Sequence, residues 1–490
     1  MKKSLAVPLC LALAAASFAV AGTATALEHP SHRALLSLGG DSGPSGLLVR
    51  KAVGGRAAIT ELGSNLDEVA AASGMSTARL TRILTTDPTA RIFPAGRLAY
   101  VDPARPSSVS AEPPVAQAQF PDSQTFTLHS RPGSDHVIYL DFNGATVSGT
   151  AWNTGADAVP NAFYDGFTLD GDTSTYTPTE HTYVQEVWRM VAETYKTFDV
   201  DVTTADPGVA AYNRTDANDP TYGDHVLITD DPDSYPACDP TGGCAGVAFV
   251  GTFDNAGEPT DKYEPEWVHP SQYAFDTATT ISHEVGHTLG LSHDGVTGGS
   301  AYYAGQGNWS PIMGSGPNAV QQFSIGDYAN ANNTEDDLAV ISAHGLPRIA
   351  DEAGDTLAAA LDLGAQTSYA RTGLISTRSD ADYYKISHPC STDLTVSASG
   401  SGVGSALDLR WDLYDASGNQ LDFSDPVSSQ SNDVLPVATG MDAPAKTHAA
   451  PVGTYYVKVD GVGKGNPLTT GYSDYGSVGS YALSVSGCSG

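Results

Sequence analysis

The stretch Thr280-Ile281-Ser282-His283-Glu284-Val285-Gly286-His287-Thr288-Leu289-Gly290-Leu291-Ser292-His293-Asp294 decides how the rest of the chain is read. Wound as a helix at about 100° per residue, it gathers Ile281, Val285 and Leu289 on one face and His283 and His287 on the other. One face packs and the other presents two imidazoles. Side chains four apart on a helix are neighbours, so both rings reach a single ion, and nitrogens at about 2.0–2.1 Å suit Zn²⁺. Gly290 predicts the end of the helix, because a left-handed residue is cheap only for glycine. The chain then turns back and delivers His293 as a third ligand. Glu284, beside the first ligand, is placed to act as a base on water held by that ion. The order H-E-x-x-H-x-x-G-x-x-H arises by chance about 10⁻⁷ times per starting position, so coincidence explains it poorly.

These residues resemble the signature of the metzincin zinc endopeptidases. Ser310-Pro311-Ile312-Met313-Gly314 is similar to the methionine turn of that family, and Asp294 after the third histidine resembles its reprolysin-like variant. Gly314 stands where astacin-like and serralysin-like members carry a tyrosine, which argues against those branches. The resemblance implies an α+β catalytic domain of α/β/α type that hydrolyses internal peptide bonds of extracellular proteins. It also implies roles: His283, His287 and His293 hold Zn²⁺, Glu284 moves the proton from water to the leaving amine, and Met313 floors the site.

The chain has 490 residues, enough for about three domains. Met1-Lys2-Lys3, the apolar run from Leu5 to Ala21 and Ala24-Thr25-Ala26 read as a secretory signal over residues 1–26, which predicts a secreted, extracellular protein. Cysteine usage agrees with export. Cys10 leaves with the signal, and of the four that remain two lie in one loop while two bracket the C-terminal region. The predicted disulfides are Cys238 with Cys244 and Cys390 with Cys488, in keeping with an oxidising compartment.

Residues 27–127 read as a pro-segment and linker. Leu66–Met75 and Ser76–Leu84 read as two short helices separated by Gly74, and Phe93–Val101 as a turn into a strand. This small unit resembles a LysM carbohydrate-binding module, while its plainer reading is an inhibitory or folding-assisting propeptide. It has no cysteine to plug a metal site. Its nine basic residues oppose a strongly acidic remainder, so docking in cis before maturation through Arg79, Arg82, Arg91 and Arg97 is expected. The Pro- and Ser-rich stretch from Asp102 to Thr125 reads as the linker where maturation would occur.

The catalytic domain is expected over residues 128–348. His136–Phe142, Asp199–Thr204, Val226–Thr229 and Cys244–Gly251 read as strands, and Tyr183–Phe198 as an amphipathic helix. By the family resemblance, Cys244–Gly251 is the cleft-edge strand that pairs with an extended substrate. Thr334 is the expected N-cap of a closing helix. Residues 349–490 alternate apolar and polar positions between Gly/Ser turns, the pattern of a β-sandwich, and Asp380–Ile386 with Gly453–Gly461 resemble a bacterial pre-peptidase C-terminal domain.

The formal charge is −32, and residues 27–125 hold nine basic and nine acidic residues, so the negative charge falls on the later chain. Phosphate binding needs basic patches, which excludes nucleic acid as a partner. Acidic loops such as Asp170-Gly171-Asp172 and Asp230–Asp233 are candidates for Ca²⁺, although neither has EF-hand spacing. Two other function classes stay open: an adhesion protein with an inert zinc site, and a hydrolase directed at cell-wall material.

Overall fold

The computed structural model describes residues 47–104, 118–238, 243–257, 262–316, 318–427 and 440–488. The predicted secretory signal, the start of the predicted pro-segment and most of the predicted linker lie outside them. The N-terminal segment opens with β1 (Val53–Gly54) and three helices, α1 (Gly55–Leu62), α2 (Leu66–Ala72) and α3 (Thr77–Thr86). Gly74 adopts a left-handed φ of 67° between α2 and α3, and the Ser76 side chain caps α3 by accepting from the Arg79 amide. Two strands follow, β2 (Ala90–Ile92) and β3 (Leu98–Pro103).

The catalytic region supplies β4 (His136–Asp141), the hairpin β5 (Gly144–Val147) and β6 (Ala162–Asp165), α4 (Pro178–Thr194), β7 (Asp201–Thr203), β8 (Tyr222–Ile228), β9 (Cys244–Phe249), β10 (Glu266–Val268) and α5 (Ala274–Thr288). Short strands β11 (Trp309–Pro311) and β12 (Val320–Gln322) then lead to α6 (Asp337–Ala343). Helix α4 begins five residues before the sequence suggests: Thr177 and Glu180 close a capping box and Pro178 occupies the first turn, where its missing N–H costs nothing. Asp336, not Thr334, caps α6. The reason is that Glu335 turns away to accept from the Ser292 amide at 2.7 Å, so the helix starts two residues later.

The strands of residues 53–103 and of residues 136–268 form one eight-stranded sheet in the order β1-β2-β3-β9-β10-β8-β4-β7. Residues 47–104 are therefore not an independent unit. Strand β9 runs antiparallel to both β3 and β10, whereas β10, β8, β4 and β7 are parallel. Helices α4 and α5 bury Val184, Val187, Val191, Ile281 and Val285 against Ile138, Val226 and Ile228 of the sheet. The opposite face is covered by the β5–β6 region, with Trp152, Tyr164 and Trp267 in its core, rather than by the second helical layer of an α/β/α stack.

Beyond residue 349 come β13 (Leu361–Ala365), β14 (Ser368–Ile375), β15 (Ala381–His388), β16 (Leu394–Gly400), β17 (Leu409–Asp415), β18 (Gln420–Ser424), β19 (Ala443–His448), β20 (Gly453–Gly461) and β21 (Gly479–Ser486). They form a five-stranded sheet, β13-β15-β20-β17-β18, and a four-stranded one, β14-β21-β16-β19. Trp411, Tyr384, Val457, Leu483 and Val396 from the two sheets meet in one core. The alternation along β20 and β21 is what lets one side of each strand enter that core. This region leans on α4, where Glu193 accepts from the Ser480 amide at 2.8 Å, and on α6, where the Tyr475 hydroxyl donates to Asp336 at 2.7 Å.

Both expected disulfides are present, Cys238–Cys244 and Cys390–Cys488, with Cα separations of 5.6 and 6.0 Å. The second spans 98 residues and ties the end of β21 to the turn after β15. Closing a loop that long removes more unfolded-state freedom than closing the short one. Replacing Cys390 and Cys488 by serine should destabilise the C-terminal region by about 2–4 kcal/mol in a urea titration, and the same change at Cys238 and Cys244 by less.

Candidate metal centre

Helix α5 carries His283, Glu284 and His287, all fully buried, and ends in a Schellman turn. The Leu291 amide donates to the Gly286 carbonyl at 2.9 Å and the Gly290 amide to the His287 carbonyl at 2.8 Å. Gly290 has φ of 88°, as its position in the sequence predicts, and a Cβ there would meet the His344 ring at 2.8 Å. That turn also orients a ligand, because it aims the Leu291 carbonyl at His287 Nδ1, 2.9 Å away. His283 Nδ1 is held by the Ile312 carbonyl at 2.7 Å, and His293 Nδ1 by Asp87 Oδ2 at 2.6 Å. With each Nδ1 engaged by an acceptor, each Nε2 is presented inward. His287 Nε2 and His293 Nε2 lie 3.1 Å apart.

Met313 is fully buried beneath α5, and a Cβ added to Gly286 would come within 2.7 Å of its sulfur. The Asp294 amide donates to the Met313 carbonyl at 2.8 Å, which locks the turn after His293 onto the methionine turn. Burial and the neighbouring Glu335 push the Asp294 carboxyl well above the usual carboxylate range. The Tyr195 hydroxyl of the α4 end donates to the Ser282 carbonyl at 2.8 Å and fixes α5 from behind.

The histidines meet a carboxylate that no pattern in the sequence marks as a neighbour. Asp102 Oδ2 is 2.9 Å from His283 Nε2 and 3.4 Å from His287 Nε2, while Oδ1 is 3.1 Å from His293 Nε2. The four ligand atoms lie within 4.8 Å of one another, a donor set of three imidazoles and one carboxylate that fits Zn²⁺. Burial alone would raise the Asp102 carboxyl, but His293 and His283 outweigh it and hold Asp102 well below the usual range. Burial likewise opposes protonation of His293, yet Asp87 and Asp102 push that ring up to about 9. A divalent cation satisfies the same carboxylates in place of that proton.

Two further features escape the sequence. Gly246 of β9 faces α5 so closely that a Cβ would lie 2.4 Å from Glu284 Oε1. Asp224 and Glu266 are buried behind α5, and Thr288 donates its hydroxyl to Asp224. Burial pushes Asp224 up to about 7 and Glu266 well above the carboxylate range. The acidic loops considered for Ca²⁺ behave differently: Asp170 and Asp172 accept hydrogen bonds from their own turn, and among the described residues neither loop gathers three ligand groups.

Residues 195–294 match the family model of the reprolysin-like metallopeptidases, family M12B. The match makes the chain a zinc metalloendopeptidase, a hydrolase of peptide bonds. Among curated proteins none matches it. Among solved structures, it is similar to the pre-peptidase C-terminal domain of a Bacillus anthracis collagenase, at 19% identity and TM-score 0.17, covering 26% of this chain and 93% of that one. It is also similar to the periplasmic inhibitors of g-type lysozyme of Aeromonas hydrophila, at 15% identity, TM-score 0.16 and coverage of 26% and 96%. For the Salmonella Typhimurium inhibitor the values are 17%, 0.16, and 26% and 98%.

The closeness of Gly246 to Glu284 has a measurable consequence. Gly246→Val should lower kcat by about 10²–10³-fold by displacing the carboxylate, the scale of losing a positioned acid–base group, with zinc content unchanged by metal analysis. Full activity in that variant would show that β9 does not confine Glu284.

Proposed function

We propose that the chain is a secreted endopeptidase in which His283, His287 and His293 hold the zinc and Glu284 is the general base. The observation that carries this reading is the convergence of three buried Nε2 atoms beside a fully buried Glu284. Zinc bound there would supply Lewis acidity to the scissile carbonyl and to the attacking water, whose pKa such a metal brings to about 7. Glu284 takes the proton of that water and later gives it to the leaving amine. Met313 and Gly286 keep the floor of the site apolar and tightly packed. Strand β9 offers its backbone to an extended substrate by β-augmentation, the geometry by which β3 already pairs with it.

Secretion is supported by the N-terminal signal pattern and by two disulfides. No helix among the described residues is long and apolar enough to cross a membrane. The domain limits that fit this reading are a signal at 1–26, a pro-segment and linker at 27–127, the peptidase at 128–348 and an accessory β-sandwich of pre-peptidase C-terminal type at 349–490.

Hydrolysis of casein by the processed protein tests the proposal. Activity should vanish with 1,10-phenanthroline and return on adding zinc. Glu284→Gln should keep its zinc and lose at least about 10²-fold in kcat, because a base and not a ligand is removed. A wild-type protein that binds zinc and cleaves nothing would favour the reading of an adhesion protein with an inert site.

A further inference from the structure

Strand β3 of the pro-segment fills the position on β9 that a substrate would need. It pairs antiparallel with β9 in a register that sets Tyr100 opposite Ala248, Val101 opposite Val247 and Asp102 opposite Gly246. Gly246 is the residue that packs on Glu284, so Asp102 stands directly over the base and the three histidines. What the strand turns toward the Nε2 atoms is a side-chain carboxylate and not a backbone carbonyl. It therefore presents no scissile bond to the groups that would cut it.

The strand is fixed there from several directions. Tyr100 is fully buried, with its ring stacked on His287 at 4.5 Å and tilted over His293 at 4.1 Å. Asp87 grips His293 from the other side through Nδ1 at 2.6 Å. Tyr302 donates its hydroxyl to Asp102 and lies 3.1 Å from Thr89 Oγ1. Arg97 reaches the Gly251 carbonyl at 3.2 Å and Asn255 at 2.6 Å, and Arg79 pairs with Glu335. Arginines thus help to anchor the segment, as its charge suggests, but Arg91 folds back on the Pro88 carbonyl and Arg82 is exposed. The groups that reach the histidines are carboxylates.

Resting on the endopeptidase reading, we propose that Asp102 is the fourth zinc ligand of the full-length chain and that strand 98–103 is its latch. A carboxylate at this point excludes the attacking water and shields Glu284, and the antiparallel pairing excludes a substrate strand. Activation then consists of removing one side-chain ligand together with one strand, so that water and substrate replace them. No thiol takes part, and none is present between Ala26 and Cys238. Asp87 is a positioning residue in this arrangement, since it acts on the centre through His293.

The experiment uses the uncleaved full chain carrying Glu284→Gln, so that it cannot process itself, and compares it with the same chain also bearing Asp102→Ala or Asp102→Asn. Asp67→Ala, an exposed change elsewhere in the pro-segment, serves as the control. Loss of zinc to a colorimetric chelator should be at least tenfold faster in both Asp102 variants and unchanged in the control. The visible bands of the cobalt-substituted chain should shift in the same two variants. With Glu284 restored, the uncleaved Asp102→Asn chain should hydrolyse a short peptide at least tenfold faster than uncleaved wild type. Equal zinc loss, unshifted cobalt bands and equal latency would overturn the proposal and leave strand pairing alone as the block. Should the mature wild type bind zinc yet cleave nothing, the endopeptidase reading fails, while zinc loss and the cobalt bands still decide whether Asp102 is a ligand. Asp102→Asn keeps the shape of the side chain, so a melting temperature equal to wild type separates ligand loss from misfolding.

Discussion

Everything in this protein follows from the need to hold three imidazole rings with their Nε2 atoms aimed at one point inside an apolar interior. Buried rings do not converge unaided, because each is free to turn about its own bonds and each polar nitrogen must find a partner. Here the other nitrogen of each ring is fixed by an acceptor: the Ile312 carbonyl, the Leu291 carbonyl and Asp87. The first requires the methionine turn to lie under α5, the second requires the left-handed turn at Gly290, and the third requires the pro-segment. Local backbone geometry and long-range packing thus meet in three rings.

The sheet serves the same end. An antiparallel β9 beside parallel β10 and β8 turns one backbone edge toward the metal centre, and edges of that kind invite another strand. In the full-length chain the invited strand is β3. Covering the edge with a segment of its own keeps both the backbone groups and the histidines out of water. The glycine at 246 is the local concession that lets strand, base and ligand helix approach one another, since any side chain there would collide with Glu284.

Much of the site is legible in the residues themselves because its information is local. The spacing of His283, His287 and His293, the glycine at 290 that turns the chain between the last two, and the methionine after Pro311-Ile312 all sit within one short stretch. The four cysteines and the alternating strands of the C-terminal region are legible for the same reason. What escapes is held by contacts distant in sequence. Asp87 and Asp102 lie 206 and about 180 residues from the histidines they meet, and neither stands in a pattern that marks a ligand. Asp102 falls between a strand and a proline, where it reads as the start of a linker; only the pairing of β3 with β9 carries it into the centre. The start of α4 and the cap of α6 are missed for a smaller reason. Several residues there are able to cap, and the choice among Thr334, Glu335 and Asp336 is made by Ser292, over forty residues upstream.

Anomalous diffraction at the zinc edge from crystals of the full-length chain tests the central claim most directly. The account predicts one strong peak at about 2.0–2.1 Å from the Nε2 atoms of His283, His287 and His293, with an Asp102 oxygen completing a four-coordinate shell. A protein that binds zinc in solution but shows no peak among those three rings, or shows it elsewhere, would contradict the account.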